Sequence, residues 1–119
     1  MHRDLKPGNI LIKGDCIKLA DFGLAKALNN SHDRYSFSVV TLHYRAKEVL
    51  MNHNYGLGVD IWALGCILYE LDNKKILLPG RNELDQLRLI SELEVDGLVK
   101  LMLADQEERL NIGQVLELV

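Results

Sequence analysis

Cysteine is scarce in this sequence, with two in 119 residues. Cys16 and Cys66 stand far apart with no second Cys or His at ligand spacing, which argues against a disulfide or a metal site and reads both as buried reduced thiols. Basic clusters are lacking as well. Lys and Arg are scattered and the formal net charge is -3, a balance that argues against nucleic acid as the main partner. The longest apolar segment, around Ile61 to Leu71, contains Glu70 and is too short to span a bilayer. The first residues are charged where a secretory leader needs an apolar run, so an intracellular chain away from membranes is expected. No internal repeat or low-complexity tract appears. What is present, 48% hydrophobic and 26% charged residues, is enough for one core and not for two.

Ile10-Leu11-Ile12 and Cys16-Ile17-Lys18-Leu19-Ala20 read as two short strands around a turn at Lys13 to Asp15. From Asp21 to about Val39 periodicity is lost and polar residues accumulate, a loop too long for a simple connection and therefore expected to be functional. Glu48 to Met51 reads as one helical turn, broken by the glycines of Asn52 to Gly58. Next, Ile61, Trp62, Leu64, Ile67, Leu68 and Leu71 wrap most of a helix circumference, as expected of a helix buried in the middle of a domain, with Asp60 at its start. Glu83 to Leu93 reads as an amphipathic helix, and Leu98 to Leu103 and Ile112 to Leu118 as two short ones. A mainly α domain with one β-hairpin is expected.

The chemistry gathers near the start. His2-Arg3-Asp4-Leu5-Lys6-Pro7-Gly8-Asn9 and Asp21-Phe22-Gly23 place two carboxylates, one amine and one carboxamide where a loop and a short hairpin can aim all four at one point. That set suits magnesium held on a phosphate chain and a hydroxyl proton to be received.

The complete string, followed by a strand pair and Asp21-Phe22-Gly23, resembles the catalytic loop (2–9) and magnesium loop (21–23) of eukaryotic protein kinases. The resemblance implies an ATP- and Mg2+-dependent Ser/Thr protein kinase acting on protein Ser or Thr hydroxyls. In it Asp4 would accept the hydroxyl proton, Lys6 would sit against the transferring phosphate, and Asn9 and Asp21 would hold magnesium. Leu11 matches the apolar floor under adenine, and His2, Phe22 and Gly23 match structural positions around the magnesium loop. Arg3 would pair with a phosphate or carboxylate on the activation segment (21–48). Val39 to Glu48 resembles the corresponding segment of cyclin-dependent kinases, which makes Ser36 the candidate regulatory phosphosite, with Tyr35 and Ser38 as competing acceptors. By the same likeness Thr41 would bridge Asp4 and Lys6, and Arg45 would favour proline after the target residue. Glu48 would form a buried pair with Arg109, and Asp60 would anchor the catalytic-loop backbone, a plain helix N-cap being its simpler reading.

Some of the pattern departs from the family or is missing. His43 stands where tryptophan is usual, Lys47 replaces the proline before Glu48, and Gln106 the one expected in the turn before Arg109. These residues include no glycine-rich loop, no Val-Ala-Ile-Lys lysine and no helix carrying its glutamate partner. The helical subdomain (59–119) joins two helices almost directly at Leu93 to Asp96, where the family runs on for several tens of residues. The expectation is a partial kinase domain over 1–119, an incomplete C-terminal lobe lacking the N-lobe, with apolar surface exposed beside its central helix and little turnover alone. An internal methionine read as a start would account for Met1. A cyclin-type partner is implied only for a full-length form. The alternatives are a non-catalytic kinase-like binding module and a truncated gene product.

Overall fold

The computed structural model describes residues 1–26 and 41–119; Tyr35, Ser36 and Ser38 lie outside the described residues. A 3-10 turn, Pro7–Asn9, leads into strands β1 (Ile10–Lys13) and β2 (Cys16–Leu19), followed after the undescribed segment by a second 3-10 turn, Leu42–Tyr44. Five α-helices follow among the described residues: α1 (Lys47–Leu50), α2 (Gly58–Asn73), α3 (Glu83–Ser91), α4 (Gly97–Met102) and α5 (Ile112–Leu118). None is long and apolar enough to cross a membrane.

α2 is the axis of the molecule because it is apolar on more than one side. Trp62, Cys66 and Ile67 join a cluster with Tyr44, Val49, Leu78 and Leu103. Ile61 packs instead with Met102 and Val115, and Leu64 and Leu68 lie against that second cluster. A helix that feeds two clusters has little polar face to spare, and this is the wrap-round pattern of its sequence. Gly65 lets α4 approach closely, since a Cβ there would lie 3.1 Å from the Met102 Cβ and 3.2 Å from Leu103 Cδ2. The helix stops at Lys74, whose left-handed backbone (φ 58°) returns its N–H to the Glu70 carbonyl at 2.8 Å.

α3 ends sooner than its apolar spacing suggests. Asn82 caps its start by accepting the Asp85 N–H at 2.9 Å. At its end the Ser91 hydroxyl donates to the Arg88 carbonyl at 2.6 Å, a side-chain bond that competes with further helix. α5 begins with a reciprocal capping box between Asn111 and Gln114.

The loop between α2 and α3 is fixed by an amide. Gln86, fully buried, accepts the Gly80 N–H at 2.9 Å and donates to the His43 carbonyl at 3.4 Å. A Cβ on Gly80 would meet Gln86 Oε1 at 2.1 Å and its Cα at 2.9 Å. Gly80→Ala is therefore expected to expel the amide and cost about 2–3 kcal/mol through overpacking and orphaned polar groups, read as a lower urea midpoint at unchanged slope.

The hairpin pairs antiparallel, Ile10 opposite Leu19 and Lys13 opposite Cys16. It corrects one expectation. Cys16 is exposed, because among the described residues nothing packs over that strand, and only Cys66 is buried among the helices. Ile12 and Ile17 are exposed too. Between the hairpin and α2 lies an open apolar groove of about 970 Å³, whose lining includes Met1, Leu19, Phe22, Leu57 and Ile112.

Candidate active site

The site starts from Asp60, the third residue of α2. The helix N-cap is Leu57, so Asp60 is not the cap. Its carboxylate reaches back across the chain instead and accepts the backbone N–H of His2 at 2.8 Å and of Arg3 at 2.9 Å. Arg3 adopts a left-handed backbone (φ 72°), a conformation that costs a non-glycine residue free energy and persists where neighbours over-determine it. The two bonds to Asp60 do so here.

His2 ties the loop to the exit of the hairpin. Its Nδ1 accepts the Asp4 N–H at 3.2 Å while its Nε2 faces the Ala20 carbonyl at 2.8 Å. An acceptor on one side and a carbonyl on the other select the tautomer protonated on Nε2. The Phe22 ring meets His2 edge to face at 4.9 Å between centroids, though it is itself 61% exposed. A second tie runs from the Ala20 N–H to the Asn9 carbonyl at 2.8 Å.

These ties bring four side chains together. Asp4 is buried, and one of its carboxylate oxygens accepts from the Thr41 hydroxyl at 3.3 Å. The other accepts from Asn9 Nδ2 at 3.4 Å and lies 3.5 Å from Lys6 Nζ. Lys6 Nζ donates to the Thr41 hydroxyl at 3.0 Å, so that hydroxyl stands between amine and carboxylate. Asn9 also donates to the Asp4 backbone carbonyl at 2.9 Å, which fixes the loop from within. Contacts of 3.3–3.5 Å on the carboxylate are long for hydrogen bonds to a charged group. They hold Asp4 in place and leave its carboxylate able to accept a further, shorter hydrogen bond.

Asp21 is not joined to this cluster by any hydrogen bond or ion pair among the described residues. It is exposed, left-handed in backbone (φ 58°), and accepts the Gly23 N–H at 3.3 Å. Leu11 is 53% exposed on the hairpin. The Arg3 guanidinium donates to the Leu24 carbonyl and, at 3.4 Å, to the Tyr55 hydroxyl. Arg45, buried, forms an ion pair with Glu83 at 2.8 Å.

Tyr55 and Glu83 have no signal in the sequence reading. Each is the far partner of an arginine, separated from it by 52 and 38 positions. Another such contact runs from the Tyr44 hydroxyl to Glu70 at 2.7 Å. Burial, reinforced by that carboxylate, pushes the Tyr44 hydroxyl up from its ordinary value.

Glu48 and Arg109 form a two-pronged ion pair, with Nη2 to Oε2 at 2.9 Å. The guanidinium donates further to the carbonyls of Gly58 (2.9 Å) and Ala104 (3.1 Å) and lies over the Trp62 ring, 5.1 Å from its centroid. Burial pushes the nearby Cys66 thiol up to about 12, against the opposing pull of Arg109. A folded value above the ordinary 9.0 means that the thiol's contribution to stability is whole below pH 9 and is lost as pH climbs towards 12. In melting-temperature scans over that window, Cys66→Ala should flatten part of the alkaline fall; an unchanged slope would count against this source.

A family model of the protein kinase domain matches residues 1–117. The chain belongs to the protein kinase domain family. Its curated relatives include mitogen-activated protein kinase 4a of Physcomitrium patens, 50% identical over 95 residues, covering 78% of this chain and 25% of that protein. Mitogen-activated protein kinase 6 of Arabidopsis thaliana is 47% identical over 95 residues, covering 78% and 24%. Mitogen-activated protein kinase 5 of Oryza sativa subsp. japonica is 46% identical over 95 residues, covering 78% and 26%. The chain thus spans about a quarter of the length of these relatives. They are named for mitogen-activated rather than cyclin-dependent kinases, so neither the cyclin-dependent likeness drawn from the activation segment nor a cyclin partner is shown. A hairpin with five helices among the described residues is the mainly α architecture of a partial kinase domain.

Proposed function

We propose that this chain is the catalytic-loop portion of a Ser/Thr protein kinase, carrying the groups that act on the protein substrate's hydroxyl. The observation that supports this reading is the convergence of Lys6, Asn9 and Thr41 on the Asp4 carboxylate, with the Thr41 hydroxyl 3.0 Å from the Lys6 amine and 3.3 Å from Asp4. With ATP bound, a Ser or Thr hydroxyl brought to Asp4 would give up its proton there as its oxygen bonds to the γ-phosphorus and the bond from that phosphorus to the oxygen of the departing ADP breaks. The Lys6 amine places positive charge beside the transferring phosphoryl group. Thr41 and Asn9 hold both groups in position, which is where much of a phosphoryl-transfer barrier is overcome.

The residues present fit Mg2+ and the phosphates of ATP. Among the described residues, Asn9 Oδ1 and Asp21 Oδ2 accept no hydrogen bond and are oxygen donors of the kind a hard cation takes, leaving its other positions to phosphate and water. When bound, the ion neutralises charge developing on the phosphates. Leu11 offers one apolar face to adenine. The buried, carboxylate-paired Arg45 lies where the family resemblance locates a preference for proline after the target residue, and an intracellular protein substrate is the proposed partner.

Because these residues contain no glycine-rich loop, turnover should need a separately supplied nucleotide-covering half. With such a half and MgATP, labelled phosphate is expected on a protein substrate, and Asp4→Asn is expected to lower the rate by about 10²–10⁴-fold. Absence of transfer, or transfer indifferent to Asp4→Asn, would overturn the proposal.

A further inference from the structure

We propose that Thr41 is itself an acceptor for the phosphoryl group, so that the site modifies its own clamp in place; this rests on the kinase reading above. Thr41 Oγ1 meets both groups that act on a substrate hydroxyl, donating to Asp4 Oδ1 at 3.3 Å and accepting from Lys6 Nζ at 3.0 Å. It is the one hydroxyl hydrogen-bonded to Asp4 among the described residues. A threonine hydroxyl has one proton to donate and two lone pairs. The proton faces the carboxylate and Lys6 takes one lone pair, which leaves the other for phosphorus. Thr41 stands at the start of the second 3-10 turn, its backbone N–H 3.5 Å from Asp4 Oδ1, and it is half-buried rather than enclosed. An acceptor already fixed against the base needs no encounter to bring it there.

With ATP bound, the Thr41 oxygen bonds to the γ-phosphorus, the bond from that phosphorus to the oxygen of the departing ADP breaks, and the hydroxyl proton passes to Asp4. The new phosphate carries a charge of about -1.5 to -2 at neutral pH. It repels the Asp4 carboxylate and takes Lys6 as its ion-pair partner. The hydroxyl that joined amine to carboxylate is then gone, and a chain so modified no longer acts on protein substrates. A peptide hydroxyl competes with Thr41 for Asp4, so substrate delays the modification and its absence hastens it.

Thr41 is the sole threonine of the sequence, so phosphothreonine in this chain reports that residue alone. The test combines the full chain with a saturating nucleotide-covering half, labelled MgATP and a peptide whose only hydroxyl is a serine. Acid hydrolysis of the separated chain is expected to yield phosphothreonine, at a rate per chain that dilution of the chain leaves unchanged and that added peptide slows. Asp4→Asn should lower that rate by about 10²–10⁴-fold, and Thr41→Val should abolish the product. A chain given phosphothreonine at position 41 by ligation supplies a readout without nucleotide. Its Lys6 amine, held by the phosphate, should react more slowly in reductive methylation than in the unmodified chain, with Lys100 unchanged. Phosphoserine on the peptide without phosphothreonine on the chain would overturn this proposal and leave the kinase reading standing, whereas no label on either would overturn both. A rate per chain that falls on dilution, or equal Lys6 reactivity in the two chains, would also overturn it.

Discussion

Glu48→Ala is expected to lower the unfolding free energy by about 3–5 kcal/mol, because it strands a charge that has no route to water. The Arg109 side chain is 1% exposed and that of Glu48 6%. The carbonyls of Gly58 and Ala104 and the face of Trp62 remain as partners after the substitution, but none is an anion. A domain of this size has about 5–15 kcal/mol in all, so the variant should be unfolded or nearly so at moderate urea. Glu48→Gln keeps an acceptor and should lose less. Replacing both partners with apolar residues of similar volume should recover part of the loss, since the desolvation of two ions is then removed as well. Urea titrations of the three variants check the ordering; a Glu48→Ala protein that unfolds like the parent would refute the account.

Asp60→Ala should cost about 3 kcal/mol, the worth of two charge-assisted hydrogen bonds, and should act first on the loop that carries His2, Arg3 and Asp4. With no acceptor at Asp60, the backbone N–H groups of His2 and Arg3 lose these two bonds, which help hold Arg3 at φ 72°. Hydrogen exchange should show both amides losing protection before α2 does. Asp60→Asn retains one carbonyl oxygen and should keep one amide protected. Equal loss at both amides in the Asn variant would mean that the loop is held by something other than this carboxylate.

The sequence made these features legible to different degrees, for physical reasons. α2 was readable because burial on two sides leaves a pattern that the chain states locally. The small helices were readable from apolar spacing, but the early end of α3 depends on a Ser91 hydroxyl that can equally face solvent. The burial expected of Cys16 fails because residue order in a strand says nothing about whether a second layer covers it. Glu48 and Arg109 lie 61 positions apart, and only the family resemblance joined them; no local rule pairs residues at that separation. Gln86 went unnoticed for the same reason, since its partners are backbone groups of Gly80 and His43, which every sequence possesses.

The double allegiance of α2 has a consequence for how the molecule comes apart. One cluster reaches the second 3-10 turn and α1 through Tyr44 and Val49, and the other reaches α5 through Val115. Both share one helix, whose first turn also holds the loop bearing Asp4. Neither cluster can melt while leaving α2 with a complete coat. The chain should therefore unfold as one cooperative unit, with coincident transitions by fluorescence and circular dichroism. The arrangement of side chains around Asp4 then lasts as long as the whole fold does.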